Sequence, residues 1–234
     1  MRNNIHIKIY VKIYLDAHKM VISKFNFSDL IEYTPIPLNN ILLLKSDYIG
    51  ENRRHNFELL EGKRDIAKMI KDKAYSYGDF CFTDYEDIPA VEQLSDEQIA
   101  ELLYMAHLYK PLNSPFFEVL KNNFVYLGHD DGWYCKIYCK EKELLNSLLL
   151  NKLRGDIQQT IKNKNTIVLP NKIVENTLKF SVDGLLIELE KQRQKSEDIL
   201  IRFYKVGEYK DIDKLLNIEK FDDTSLVFEQ LIEF

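Results

Sequence analysis

The side chains best suited to chemistry gather between Tyr75 and Cys139. His129, Asp130 and Asp131 stand side by side, an imidazole next to two carboxylates. Such a set can ligate a hard divalent cation through oxygen, or take up and return a proton. Trp133 follows, and Tyr77 and Asp79 fall early in the same stretch. Gly128 and Gly132 bracket the acidic turn and permit close approach to the backbone. Arg53, Arg54 and His55 form a second group, suited to an anion. They are consecutive, so on an extended strand they cannot all face one way. The expected ligand site therefore lies against His129–Trp133, bordered by Tyr77–Asp79, with Arg53 or Arg54 engaged if the ligand is an anion. A divalent ion would take Asp130 with Asp131 and leave His129 free as a base.

Ordinary structural chemistry competes for the same residues. Asp-Asp-Gly is what a tight turn uses, because Asp and Gly tolerate its backbone angles. Cys135 and Cys139 are four apart on an expected strand. That is about 13 Å by strand rise, too far to share one zinc ion at a Zn–S distance of about 2.3 Å. All three cysteines read as reduced, buried thiols. There is no nucleophile elbow, Walker loop or dinucleotide glycine fingerprint. Eight glycines in 234 residues are few for a phosphate cradle. The expectation is no cofactor and no resident metal, with Asp130 and Asp131 the pair that would ligate one.

The elements that must position these groups follow from periodicity. Ile5–Leu15 alternates apolar residues with His6, Lys8, Tyr10, Lys12 and Tyr14, the pattern of a strand with one wet face. Ile41–Leu44 suits a buried strand, and Lys63–Lys73 a helix with Ile66, Met69 and Ile70 on one side. Tyr77–Asp84 reads as extended. Ser95 and Gln98 make a capping box opening a helix with the stripe Ile99, Leu102, Leu103 and Ala106, which Pro111 ends. Ser114-Pro115 starts a further short helix. Phe124–Gly128 and Trp133–Cys139 flank an Asp-Gly turn, a hairpin signal. In that hairpin Trp133, Cys135, Ile137 and Cys139 share the buried face, while Tyr134, Lys136 and Tyr138 look outward. Glu141–Leu153, Pro170–Phe180 and Asp211–Leu216 read as helices, Leu185–Leu189 and Ile199–Val206 as strands. Leu226–Ile232 resists assignment. Strands joined too closely for parallel crossovers predict an α+β fold: a single compact domain over 1–234, its mostly antiparallel sheet flanked by helices. A weak seam falls near 162–165.

A net charge of −5 argues against nucleic acid as a partner, since phosphate neutralisation needs a basic face. No stretch approaches the roughly 20 apolar residues of a membrane span, so the expectation is no membrane partner and a cytoplasmic address. Arg54-His-Asn-Phe-Glu-Leu-Leu-Glu-Gly62, Tyr75-Ser-Tyr-Gly-Asp-Phe-Cys81, Ser114-Pro-Phe-Phe117 and His129-Asp-Asp-Gly-Trp133 resemble an uncharacterised family of Gram-positive bacterial proteins. The resemblance covers roughly Ile41 to Leu216. Some members of that family carry the label oxalate:formate antiporter, which a sequence without spans does not fit. It implies no mechanism. An adjacent His-Asp pair also occurs in metal-dependent phosphohydrolases of the HD type, which place it on helices; here it falls in an expected turn. The functional expectation is a cytosolic binding or regulatory protein without catalysis, acting on a protein or small-molecule partner. The alternative is a small metal-dependent hydrolase using His129, Asp130 and Asp131, with His55 or Asp79.

Overall fold

Period-two alternation builds β1 (His6–Lys12), and its Ile7, Ile9 and Val11 are buried on one side. The computed structural model describes residues 6–23, 25–45, 52–73, 80–129, 133–161, 167–191, 198–209, 215 and 225–233. The further strands are β2 (His18–Ser23), β3 (Asn40–Lys45), β4 (Arg53–Arg54), β5 (Phe57–Glu61), β6 (Cys81–Asp84), β7 (Phe124–His129), β8 (Tyr134–Cys139), β9 (Leu185–Lys191), β10 (Ile199–Lys205) and β11 (Leu226–Ile232). The helices are α1 (Phe27–Tyr33), α2 (Gly62–Asp72), α3 (Ile88–Glu92), α4 (Asp96–Leu108), α5 (Lys142–Ile161) and α6 (Asn171–Phe180). All the strands join one antiparallel sheet, ordered β11-β10-β9-β1-β2-β8-β7-β6-β3-β5-β4. The fold is α+β, as the short connections predict. Residues 162–166, where the weak seam was expected, lie outside the described residues; strands from both sides of them share the sheet.

Helices cover both faces of this sheet. On one face α1, α2, α5 and α6 close a core of Ile9, Met20, Ile22, Phe82, Ile137, Leu149, Leu153, Ile187 and Phe203. Helix α5 lies across β2 and β8, at the middle of the sheet. The other face carries two separate clusters. Leu102, Met105 and Ala106 of α4 pack with Val91 of α3 onto Leu42, Leu59, Val125 and Leu127. Helices α3 and α4 leave part of this face of the eleven-stranded sheet to a second cover, and Leu215 supplies some of it over Tyr10, Val21, Leu186 and Tyr204. Local signals start the helices. Ser95 accepts from the Gln98 N–H at 3.3 Å while Gln98 accepts from the Ser95 N–H at 3.0 Å. Asn26 and Asp29 form the same reciprocal cap on α1.

The β7–β8 hairpin forms as expected, with Phe124 opposite Cys139 and His129 opposite Tyr134; its turn residues 130–132 lie outside the described residues. Four expectations need correction. Tyr134 and Tyr138 do not look outward: both are buried, because β8 is central and covered on both faces. The same second layer buries Lys8 and Tyr10, on the side of β1 expected to be wet. On α4 Leu103 is 42% exposed and Met105 takes its place inward. The segment Ile99–Leu108 is apolar on several sides, so spacing alone does not phase it. Ser114-Pro115 opens no helix. Ser114 Oγ accepts from the Phe116 N–H and Asn122 Oδ1 from the Phe117 N–H, and these side-chain bonds hold a turn instead. Helix α5 runs past Leu153 to Ile161, and Leu226–Ile232 is an edge strand.

The rotated stripe on α4 is testable by melting. Replacing Met105 with Ala is expected to cost about 2–5 kcal/mol through transfer and cavity terms, and Ser95 with Ala about 1 kcal/mol through the lost cap. Leu103→Ala should fall below roughly 1 kcal/mol. A Leu103→Ala loss as large as that of Met105→Ala would contradict the observed face.

Candidate functional site

Alternation along β1, β2 and β8 places a run of lysines and tyrosines on the face that α4 and the segment after β10 share. Lys19 of β2 stands opposite Lys12 of β1 and Tyr138 of β8. Lys136 of β8 stands opposite Val21, so it is the diagonal neighbour of Lys19. Both lysines are half-buried. The Lys19 ammonium lies 5.9 Å from the Tyr10 ring centroid, and no ion pair joins it among the described residues. Lys136 donates to the Tyr109 carbonyl at 3.0 Å and lies 5.9 Å from the Tyr134 ring centroid. Burial, and then the charge of Lys136, push the Lys19 amine down to about 8; the Glu208 carboxylate acts in the opposite sense.

Lys12 and Tyr138, the strand partners of Lys19, line a cleft of about 750 Å³, together with Tyr14, Leu15, Asp16 and Glu208 among others. Burial pushes the hydroxyls of Tyr14 and Tyr138 well above the usual phenol range, so they remain neutral donors. The cleft's far wall is fixed by a backbone contact. Gly184 has φ +84°, and an added Cβ would fall 2.0 Å from the Gly207 carbonyl oxygen. The Val206 N–H donates to the Gly184 carbonyl at 2.9 Å. Tyr10 then donates its hydroxyl to the Gly207 carbonyl at 3.0 Å and accepts from the Tyr209 N–H at 3.4 Å. These bonds hold Glu208 at the rim.

The residues singled out by sequence are divided by the fold. His129 borders the lysine–tyrosine run. Its ring stacks on Tyr134 with centroids 4.7 Å apart and meets the edge of Tyr109 at 4.4 Å. Trp133 stands at right angles to Tyr134, 5.5 Å away and 38% exposed. Asp130, Asp131, Tyr77 and Asp79 lie outside the described residues. Arg53, Arg54 and His55 do not join His129. They sit on the far edge, four strand positions from β7, about 19 Å by strand spacing. There Arg53 pairs with Glu58 at 3.4 Å and Arg54 with Glu92 at 3.3 Å, while His55 turns the chain at φ 50°. Among the described residues no cluster of His, Cys, Asp or Glu could hold a metal ion. Cys81, Cys135 and Cys139 are buried and form no disulfide with one another, and burial pushes the last two thiols up.

Lys12, Lys19, Lys136, Tyr10, Tyr14 and Tyr138 are the site residues that sequence reasoning assigned to the solvent side or passed over. Their signal was alternation of Lys with Tyr on β1 and β8, which looks the same whether a second layer covers that face or water does. No protein-family model, no curated protein and no solved structure matches the chain.

Two measurements test this geometry. Gly184→Ala is expected to destabilise the fold by more than about 1 kcal/mol, since the left-handed backbone and the Gly207 contact both exclude a methyl group. A neutral change in melting temperature would refute the contact. Lys19 sets a pH signature. Its folded-state value lies below the ordinary 10.5, so between about pH 8 and 10 the unfolded chain binds more protons and stability rises with pH. Below that window both states are charged, and the fold carries the full penalty of the buried ammonium. Lys19→Met should therefore raise Tm at pH 7 by about 2–4 °C, on the order of 1 kcal/mol, and flatten the rise above pH 8. An unchanged pH profile would show that Lys19 is freely solvated.

Proposed function

We propose that the protein is a cytoplasmic binding protein for a small anionic ligand with an apolar or aromatic body, and that it has no turnover chemistry of its own. The observation that carries this reading is the diagonal pair Lys19 and Lys136: two like charges half-buried on one face. Leaving water is costly for an ammonium, and a like-charged neighbour adds to the cost. An anion between them relieves both penalties. The tyrosine wall and the adjoining cleft suit the ligand's body, and neutral phenols donate to its oxygens without repelling them. No helix among the described residues is long and apolar enough to cross a membrane. The hydrolase alternative rests on the sequence alone, because Asp130 and Asp131 lie outside the described residues and the His129 ring is stacked against Tyr134.

Benzoate and inorganic phosphate serve as probes, followed by calorimetry and by fluorescence of Trp133, the single tryptophan. Saturable binding is expected, with proton uptake at pH 8–9 because the anion restores the charge on Lys19. Lys136→Met should weaken it at least about tenfold, roughly 1.4 kcal/mol. Binding that is absent, or equal in a Lys19→Met, Lys136→Met double variant, would refute the proposal.

A further inference from the structure

We infer that Lys19 is a nucleophilic amine that captures the carbonyl carbon of a small oxo acid as an imine, while Lys136 holds the acid's carboxylate. The inference rests on the anion site above and deepens it by naming the ligand's reactive group.

Three features of the structure support it. The first is spacing. Diagonal neighbours on adjacent antiparallel strands lie about 7–8 Å apart, and long side chains from both can reach one small molecule. In a 2-oxo acid the carboxylate and the carbonyl carbon are bonded to each other, so the binding ammonium and the attacking amine must be near neighbours, as Lys136 and Lys19 are. The second is division of labour. Lys136 is anchored by its bond to the Tyr109 carbonyl. Lys19 lies over the Tyr10 ring and has no hydrogen bond or ion pair among the described residues, Glu208 acting on it only at longer range. An ammonium held by an acceptor suits a fixed countercharge; an amine without one keeps its lone pair available once deprotonated.

The third feature is the surroundings. The groups that face Lys19 are Tyr10 and Lys12 on β1, Lys136 and Tyr138 on β8, and Glu208 beyond β10. Among the described residues Lys12, Lys136 and the neutral phenols outnumber Glu208, the carboxylate that acts on Lys19, which favours the free amine. Burial beside a second cation is a recognised means of activating a lysine for imine formation. The amine's depressed protonation, with its midpoint at about 8, agrees with that setting.

The step balances without a further reagent. The neutral Lys19 nitrogen attacks the carbonyl carbon, forming a C–N bond as the C–O π pair moves to oxygen. Proton transfer from nitrogen to that oxygen gives a carbinolamine. The hydroxyl, with a second proton, departs as water, and the nitrogen lone pair closes the C=N bond. The imine is reversible, so it is a mode of holding the ligand and not a turnover.

The test uses the full chain and glyoxylate, which joins an aldehyde to a carboxylate. Borohydride donates hydride to the imine carbon and fixes it as a carboxymethyl amine, located by peptide mass mapping. Expected is a saturable single adduct on Lys19, slowed by excess benzoate and reduced at least about tenfold in Lys136→Met. Its yield should rise with pH around 8, well below the range of solvent-exposed lysines. Lys19→Arg, shown to be folded by circular dichroism, should still bind benzoate and should lose the adduct. Benzoate binding in the native chain without a Lys19 adduct would overturn the imine and leave the anion site standing. Adducts spread over surface lysines, unchanged in Lys19→Arg, would do the same. Neither binding nor adduct would overturn both.

Discussion

The pairing of β2 with β8 is the interaction on which the rest of this structure depends. On one side of it lie β1, β9, β10 and β11; on the other lie β7, β6, β3, β5 and β4. Six register pairs, from His18 opposite Cys139 to Ser23 opposite Tyr134, join two sub-sheets built from distant parts of the chain. Helix α5 lies across the same two strands, so their inner side chains are sealed where the sheet is widest. A strand's period of two then leaves no freedom: if Met20, Ile22, Cys135 and Ile137 face α5, Lys19 and Lys136 must share the opposite face. The two lysines are brought together by the joint that makes the sheet continuous.

Elsewhere the fold neutralises charges that it buries. Lys8, Glu188, Arg202 and Glu229 stand in one row across β1, β9, β10 and β11, with signs alternating. Arg202 reaches Glu229 at 2.8 Å and Glu190 at 2.7 Å, and Tyr204 donates to Glu188 at 3.2 Å. Within α5, Lys152 bonds Asp156 one turn on, 2.5 Å away, and lies over the rings of Phe25 and Tyr33. Gly155 lets Tyr33 lie against that helix, since an added Cβ would fall 2.1 Å from its hydroxyl. These are structural uses of charge: opposite signs, close contact, aromatic packing. Against them Lys19 differs in kind: it has no ion pair among the described residues, and its diagonal neighbour Lys136 carries the same charge.

Local grammar was legible in the chain, and layering was not. Asp-Gly between β-formers announced the β7–β8 hairpin, and Ser95 with Gln98 announced α4. Asn26 and Asp29 carried the same kind of signal for α1, hidden because the helix is only seven residues long. Strand β2, His18–Ser23, has too little alternation to stand out, yet it is central. The deeper difficulty lies in the second face. Lys8, Tyr10, Lys136 and Tyr138 have the composition of a wet face, and only tertiary packing shows that Tyr138 joins the cluster under α4 and that Leu215 covers Tyr10. His129 and Trp133 were placed at the border of the site by their own chemistry, whereas the guanidiniums of Arg53 and Arg54 were sent to the far edge by strand order, which depends on every pairing at once.

That the strand neighbours of Lys19 include tyrosines and no carboxylate has a physical consequence. A carboxylate beside Lys19 would complete an internal salt bridge, hold the amine charged and remove any reason for a solute to enter. Phenols that burial keeps protonated fill the same volume, pack as aromatics and still offer a donor. Asp16 and Glu208, the acids that line the cleft among the described residues, are both exposed, and Glu208 is carried on backbone that Gly184 and Tyr10 fix at the rim. Two carboxylates at the mouth, opposed to Lys12, Lys19 and Lys136 further along the same face, leave the balance of the described residues positive within a chain whose net charge is −5. The negative surroundings repel anions in general, and the seam is where that repulsion is locally reversed. On the proposed reading selectivity comes from shape: an anion whose body matches the cleft gains the contact needed to reach the half-buried pair.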